Sequence, residues 1–204
     1  SFRGPPSSRA GVAAFTTSTG YGIAKYDNPE ELSVSDRNNI GYQYTDCPLY
    51  WISVIYLNFA EAKAEMGSLT QDDLNNSINK LQARAGLPAM TTTPDADPAN
   101  NMGVSNLIWE IRRCRRCELI MDNWYRYWDL IRWHQLDKLD STKYPNTMLG
   151  ANVSNVPDCE EATKNGYIDA SDAQIRTYEA KHYFYPIPTT QLTLNKNMKQ
   201  NPGW

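Results

Sequence analysis

Apolar residues first fall into a helical rhythm near Pro48, and from there to about Met66 the chain reads as one helix. Its opening half (Leu49, Trp51, Ile52, Val54, Ile55, Leu57, Phe59) is apolar almost all round, which demands burial on more than one side. Its second half, Ala60 to Met66, is strongly helix-forming, and Gly67 supplies the stop. A second helix is predicted from about Gln71 to Ala85. Leu74, Ile78 and Leu81 share one face, Asp72 and Asp73 sit near its positive end, and Gly86-Leu87-Pro88 closes it. After a polar, Pro-rich loop, a third helix is expected over about Ser105 to Met121, with Leu107, Ile111, Cys114, Cys117 and Met121 along one side. A fourth, about Asn123 to Leu136, is packed with rings: Trp124, Tyr125, Tyr127, Trp128 and Trp133. Residues 1–46 are rich in Gly, Ser, Thr, Asn, Pro and Tyr and read as extended segments and loops. Asp140 to Lys181 reads as polar loop with one short helix near Ser171 to Ala180. His182 to Pro188 reads as extended, followed by a Thr- and Asn-rich tail to Trp204.

This order of elements gives a mainly α fold of tetratricopeptide-like helical hairpins with long irregular loops. Helical hairpins occupy residues 48–136, flanked by loop and extended chain at 1–46 and 137–204. The 204 residues suffice for one domain or a large piece of a longer protein. The chain begins Ser1-Phe2-Arg3-Gly4-Pro5-Pro6, without Met and without a basic start followed by an apolar run. A processed chain or a fragment of a longer protein is therefore expected. No stretch approaches the roughly 18 apolar residues that a membrane-crossing helix needs.

Composition narrows the chemistry. A net charge of −3 gives no basic field for nucleic acid, so no nucleic-acid partner is expected. The 13 Tyr and 6 Trp outnumber 4 Phe, so most rings carry a polar handle suited to half-wet contact surfaces. Four cysteines (Cys47, Cys114, Cys117, Cys159) are too few for a disulfide framework at this length, and buried inert thiols are the expected reading. A Cys47–Cys159 disulfide stays open. With His134 and His182 the only histidines, no metal site and no cofactor are expected.

Four blocks in order resemble the SusD/RagB family of nutrient-binding outer-membrane lipoproteins. Asp46-Cys47-Pro48-Leu49 leading to Phe59-Ala60-Glu61-Ala62 resembles that family's first conserved helix pattern. Asn79, Arg84, Ala85, Gly86 and Leu87 resemble the end of the partner helix. Ile111, Arg115, Arg116, Glu118 and Leu119, then Arg126, Asp129, Leu130, Arg132 and Trp133, resemble its third block. Tyr185-Pro186-Ile187-Pro188, Gln191-Leu192, Leu194-Asn195 and Gln200-Asn201-Pro202-Gly203-Trp204 resemble its closing signature, with Gln191 for an acidic residue and Trp204 for Tyr. Upstream, Gly20-Tyr21 and Lys25-Tyr26 match a looser element. The departures are Trp51, Val54 and Cys114 where charged residues are usual, and one extra residue between Glu118 and Arg126. Their joint loss suggests an ionic network replaced by apolar packing.

The resemblance implies a C-terminal SusD-like portion within an α/α superhelical scaffold. It also implies non-enzymatic capture of glycans or peptides at the cell surface, for delivery to a SusC-like TonB-dependent outer-membrane transporter. Membrane attachment would be through a lipid anchor outside this chain. A helical-repeat scaffold whose only ligand is another protein is the alternative. The residue pattern argues against catalysis: Arg115, Arg116, Glu118, Arg126, Asp129 and Arg132 have the spacing of inter-helix ion pairs. Neighbouring arginines would also spoil Glu118 or Asp129 as a general acid. Candidate ligand contacts are the tyrosines of non-helical segments: Tyr21, Tyr26, Tyr42, Tyr44, Tyr144 and Tyr167. The helical Trp124, Tyr127, Trp128 and Trp133 are expected in the core.

Overall fold

A computed structural model describes residues 19–21, 33, 35–36, 49–156, 163–171 and 174–204. Tyr26, Tyr42, Tyr44, Cys47, Pro48 and Cys159 lie outside the described residues, as does the open question of a Cys47–Cys159 bond. The chain divides into two compact units, residues 46–129 and residues 1–45 with 130–204.

The first unit is helical. Helix α1 is Ile52–Glu65, α2 is Gln71–Asn75, α3 is Ile78–Arg84 and α4 is Asn106–Glu118. Helix α1 packs against α3 and α4, and its core is Leu57, Ala60, Leu74, Ile78, Leu81, Met90, Ile111 and Leu119. Val54 and Cys114, two of the departures from the family pattern, pack on this cluster as apolar residues. Gly67 and Gly86 close α1 and α3 in the left-handed region, at φ 66° and 68°. There Ser68 N–H reaches Lys63 O and Leu87 N–H reaches Gln82 O, a pattern that satisfies last-turn carbonyls. Thr70 caps α2 in a reciprocal box with Asp73. The Asp73 carboxyl is held down to about 2, first by the Lys63 ammonium and then by Thr70.

The single helix expected over 71–85 is two. Ser77 leaves helical geometry (φ −131°, ψ −96°), and its buried hydroxyl donates to Asp73 O at 2.6 Å, a local bond that competes with the ladder. The third helix stops at Glu118. Met121, Asn123 and Trp124 then take positive φ (63°, 35° and 58°), so Met121 turns outward instead of continuing the Ile111–Cys114 side.

Helix α5, Tyr125–Arg132, is shorter than expected, and Leu136–Leu139 follows as a 3-10 turn. The expectation of a ring-filled core here needs correction. Trp133 is buried, but Trp128 is more than half exposed and Trp124 is 81 % exposed, because the left-handed turn ahead of α5 swings it out.

In the second unit the expected polar loop contains a three-stranded antiparallel sheet, ordered β1 (Leu149–Asn152), β3 (Tyr167–Asp169), β2 (Thr163–Lys164). The overlooked signal is Asn165-Gly166. Both residues have positive φ (54° and 79°), the requirement of the two-residue turn that matches strand twist. Ala151, Val153 and Ile168 form its core. Gly150 is demanded by close approach: a Cβ there would sit 2.3 Å from Thr19 O, the acceptor of the Ala151 N–H. No helix spans Ser171 to Ala180; residues 174–179 are irregular and Ala180–Tyr183 is a 3-10 turn. The tail is not wholly extended either. Pro188, at φ −54°, opens helix α6 over Thr189–Leu194.

Asn79 is a buried clasp on the segment that leaves α3. Its Oδ1 accepts Met90 N–H at 2.7 Å and its Nδ2 donates to Met90 O at 3.1 Å. Asn79→Leu strands a buried backbone donor and acceptor. Urea denaturation is expected to show a loss of about 1–3 kcal/mol, with the far-UV helix signal retained.

Candidate ligand cleft

Two arginines of the family pattern, Arg84 and Arg115, make structural ion pairs. Arg115 Nε meets Asp129 Oδ2 at 2.7 Å with both side chains about 5 % exposed, and its Nη1 donates to Asn58 Oδ1 at 2.8 Å. Arg84 pairs with Glu118 at 2.6 Å. Arg112, which the sequence reading passed over, is buried and reaches Glu61 at 3.3 Å and Glu65 at 3.0 Å. An ionic network therefore persists in the helical unit, while Val54 and Cys114 lie against the apolar cluster. Burial pushes the Cys114 thiol up to about 12, so it stays protonated and unreactive, whereas Cys117 is exposed. Burial, then the like charge of Arg116, draws Arg126 down to about 10.

The closing signature is also scaffold. Gln200 accepts Ile187 N–H at 2.7 Å and donates to Ile187 O at 2.9 Å, while Asn201 Nδ2 donates to Tyr185 O at 2.7 Å. Trp204 Nε1 donates to Phe184 O at 3.0 Å, and its ring lies under the Lys181 ammonium. These side chains thus satisfy backbone groups of the Phe184–Ile187 run.

A cleft of about 450 Å³ opens in the second unit, within the roughly 300–1,000 Å³ range of small-ligand sites. One wall comes from the loop before β1 (Ser141, Thr142, Pro145, Met148) with Leu149 of β1, another from β2 and β3 (Thr163, Lys164, Asp169), and a rim from Ser171, Gln174 and Ile175. Asp140 fixes the first wall. It accepts from Thr142 and from Tyr178 N–H at 3.1 Å, while Ser141 exchanges bonds with the Arg176 backbone. Asp169 is held by Ser171, whose hydroxyl donates at 2.6 Å. Exposed Thr163, Lys164 and Gln174 supply a hydroxyl, an ammonium and an amide beside apolar Pro145, Met148 and Ile175. Such an edge suits a polyhydroxylated or amide-bearing ligand. Among the described lining residues the carboxylate is Asp169.

Three of the six expected contact tyrosines fall among the described residues, all in this unit. Tyr167 on β3 is exposed and pairs across the ladder with Lys164, so it shares a sheet face with Lys164 and Asp169 of the cleft. Tyr144 precedes Pro145 of the wall, but its hydroxyl is bonded to Lys138 Nζ at 2.8 Å and its ring is covered by that ammonium. Tyr21 is exposed two residues beyond Thr19, the partner of β1. The polar wall residues Thr163, Lys164, Asp169 and Gln174 were missed by sequence reading; the Asn165-Gly166 turn was the signal that would have located three of them. A shallower concavity of about 360 Å³ in the helical unit is bordered by Glu110 and Arg113, which pair with each other at 2.7 Å.

Helical hairpins in one unit, with a small sheet and a clamped tail in the other, define the class. A family model, the SusD family, matches residues 5–204, and the chain belongs to that family. A solved SusD-like protein from Bacteroides fragilis is 25 % identical, with a TM-score of 0.51 over 74 % of this chain and 25 % of its own. Another solved chain, BT4246, shares the fold at 22 % identity and a TM-score of 0.54, over 76 % of this chain and 23 % of its own. The chain spans about a quarter of the length of these solved chains. No curated protein matches it.

The Thr142 and Tyr178 bonds hold the Asp140 carboxyl down to about 2. A carboxyl that ionises more readily folded than unfolded stabilises fully above its unfolded value of about 4, and that support disappears as pH falls through the folded value. Asp140→Asn is expected to lower the urea midpoint at pH 7 and to flatten its pH dependence between about 4 and 2, read by tryptophan fluorescence.

Proposed function

We propose that this chain is the capture portion of a cell-surface SusD-family protein, binding glycan or peptide without chemistry and delivering it to a SusC-like TonB-dependent transporter. Membership in the SusD family over residues 5–204 carries the reading. Attachment to the outer membrane would come from a lipid anchor on polypeptide outside this segment. The proposed contact surface is the cleft edged by Thr163, Lys164 and Gln174, with Tyr167 on the same sheet face as Lys164. A ring face beside hydroxyl, amide and ammonium groups fits a pyranose, which offers an apolar face and a hydroxyl edge. Tyr21 stands as a second proposed contact. Tyr26, Tyr42 and Tyr44 are carried forward as proposals from sequence. Tyr144, whose hydroxyl accepts from Lys138, is also carried forward as a proposed contact.

A glycan array followed by calorimetric titration of the best binder tests this. Saturable binding is expected, weakened roughly two- to tenfold by Tyr167→Ala. Retained transporter association with no glycan or peptide binding would favour a purely protein-binding scaffold, and turnover of a bound sugar would make the protein a hydrolase.

A further inference from the structure

Helix α3 buries two carboxamides, and only one of them is matched. Asn79 and Gln82 lie three residues apart on one helix face, each 9 % exposed. Asn79 holds both backbone groups of Met90, and Gln200 holds both backbone groups of Ile187 in the same way. Gln82 has no such residue to hold. Its Nε2 has only the Cys114 sulfur at 4.0 Å, too long to satisfy an amide, and its Oε1 accepts nothing among the described residues. An amide this deeply buried is costly unless a partner completes it. Gln82 lines the concavity of about 360 Å³ in the helical unit. The strap that leaves α3, residues 88–95, borders the same space. Apart from Met90, no backbone N–H or C=O of that strap is hydrogen-bonded among the described residues. The margin is acidic. Asp95 is exposed, and Glu110 binds Arg113 through Oε2 alone, at 2.7 and 2.9 Å, so its Oε1 stays open. Leu87 and Pro94 supply apolar wall.

We infer that this concavity is a second binding site, separate from the cleft, which takes one residue of an extended peptide with Gln82 clasping its N–H and C=O, and which prefers a lysine or arginine there. A carboxamide offers one acceptor and one donor side by side. In an extended chain the N–H and C=O of a single residue point the same way, so the two sets match, as Met90 and Ile187 already demonstrate within this protein. The acetamide of an amino sugar is a trans amide whose N–H and C=O point in opposite directions, so Gln82 could meet only one of them. Asp95 and the open Glu110 oxygen complement a cationic side chain. The inference does not depend on which ligand the cleft takes.

The probes are the blocked tripeptides acetyl-Ala-Lys-Ala-amide and acetyl-Ala-Glu-Ala-amide, with N-acetylglucosamine as the amide-bearing sugar. Each is titrated against the protein and followed by ligand-observed NMR. Saturable binding of the Lys peptide is expected, tighter than that of the Glu peptide. Gln82→Met keeps the side-chain length and removes both amide atoms, and should weaken the Lys peptide about tenfold. Tyr167→Ala, in the other unit, should leave it unchanged. Asp95→Asn, at an exposed position, should remove most of the preference for Lys, and it carries the test should Gln82→Met perturb folding. Lys-peptide binding that both Gln82→Met and Asp95→Asn leave intact would overturn the inference, as would the absence of saturable peptide binding. N-acetylglucosamine bound through Gln82 in place of the peptide would overturn the choice of ligand. Loss of peptide binding on Tyr167→Ala would assign the peptide to the cleft and overturn the second site.

Discussion

The buried guanidinium–carboxylate contacts of α4 are the constraint on which the helical unit depends. Arg115 meets Asp129 at 2.7 Å with neither side chain more than about 5 % exposed, and Arg112 reaches Glu61 and Glu65 from the same helix. Desolvating such charges costs several kcal/mol each, so the pair persists only where geometry and extra hydrogen bonds are right. Here Asn58 takes a further Arg115 donor. Together the two arginines tie α4 to α1 and, through Asp129, to α5. With Leu57 and Ala60 turned to the core, Ile52, Ile55 and Met66 of the same stretch face outward.

What could be read in advance followed the strength of local signals. Four helical regions were visible because their apolar period is long and their stops, Gly67 and Gly86, are unambiguous. The arginine spacing on α4 already favoured ion pairs over catalysis, and Gln200 and Asn201 clasp Tyr185 and Ile187 as a turn-rich tail should. The losses have equally specific causes. Strands of two to four residues are too short to show alternation, so the sheet hid in polar sequence despite its Asn165-Gly166 turn. Ser77 broke a helix through a hydroxyl bond that no periodicity reveals. Trp124 looked like a core residue on a helix, but the positive φ ahead of α5 placed it in solvent.

The cleft was the least legible feature because it is assembled from segments distant in sequence. Ser141, Lys164 and Gln174 line it together, with Asp140 tying its loop to Tyr178. The residues that announce the family and the residues proposed to touch ligand are therefore different sets. The first set is held by tertiary hydrogen bonds and buried ion pairs. The second lies on exposed loop and strand positions, where side chains can vary without cost to the scaffold.

The claim that the family arginines are frame and not chemistry is tested most directly by a double-mutant cycle at Arg115 and Asp129, read by urea denaturation. The account predicts that Asp129→Leu and Arg115→Met each cost about 3–5 kcal/mol, because each strands a buried charge. The double variant should recover most of that loss, with ligand affinity in the cleft unchanged. Additive losses in stability, or cleft affinity abolished in a double variant that remains folded, would contradict it.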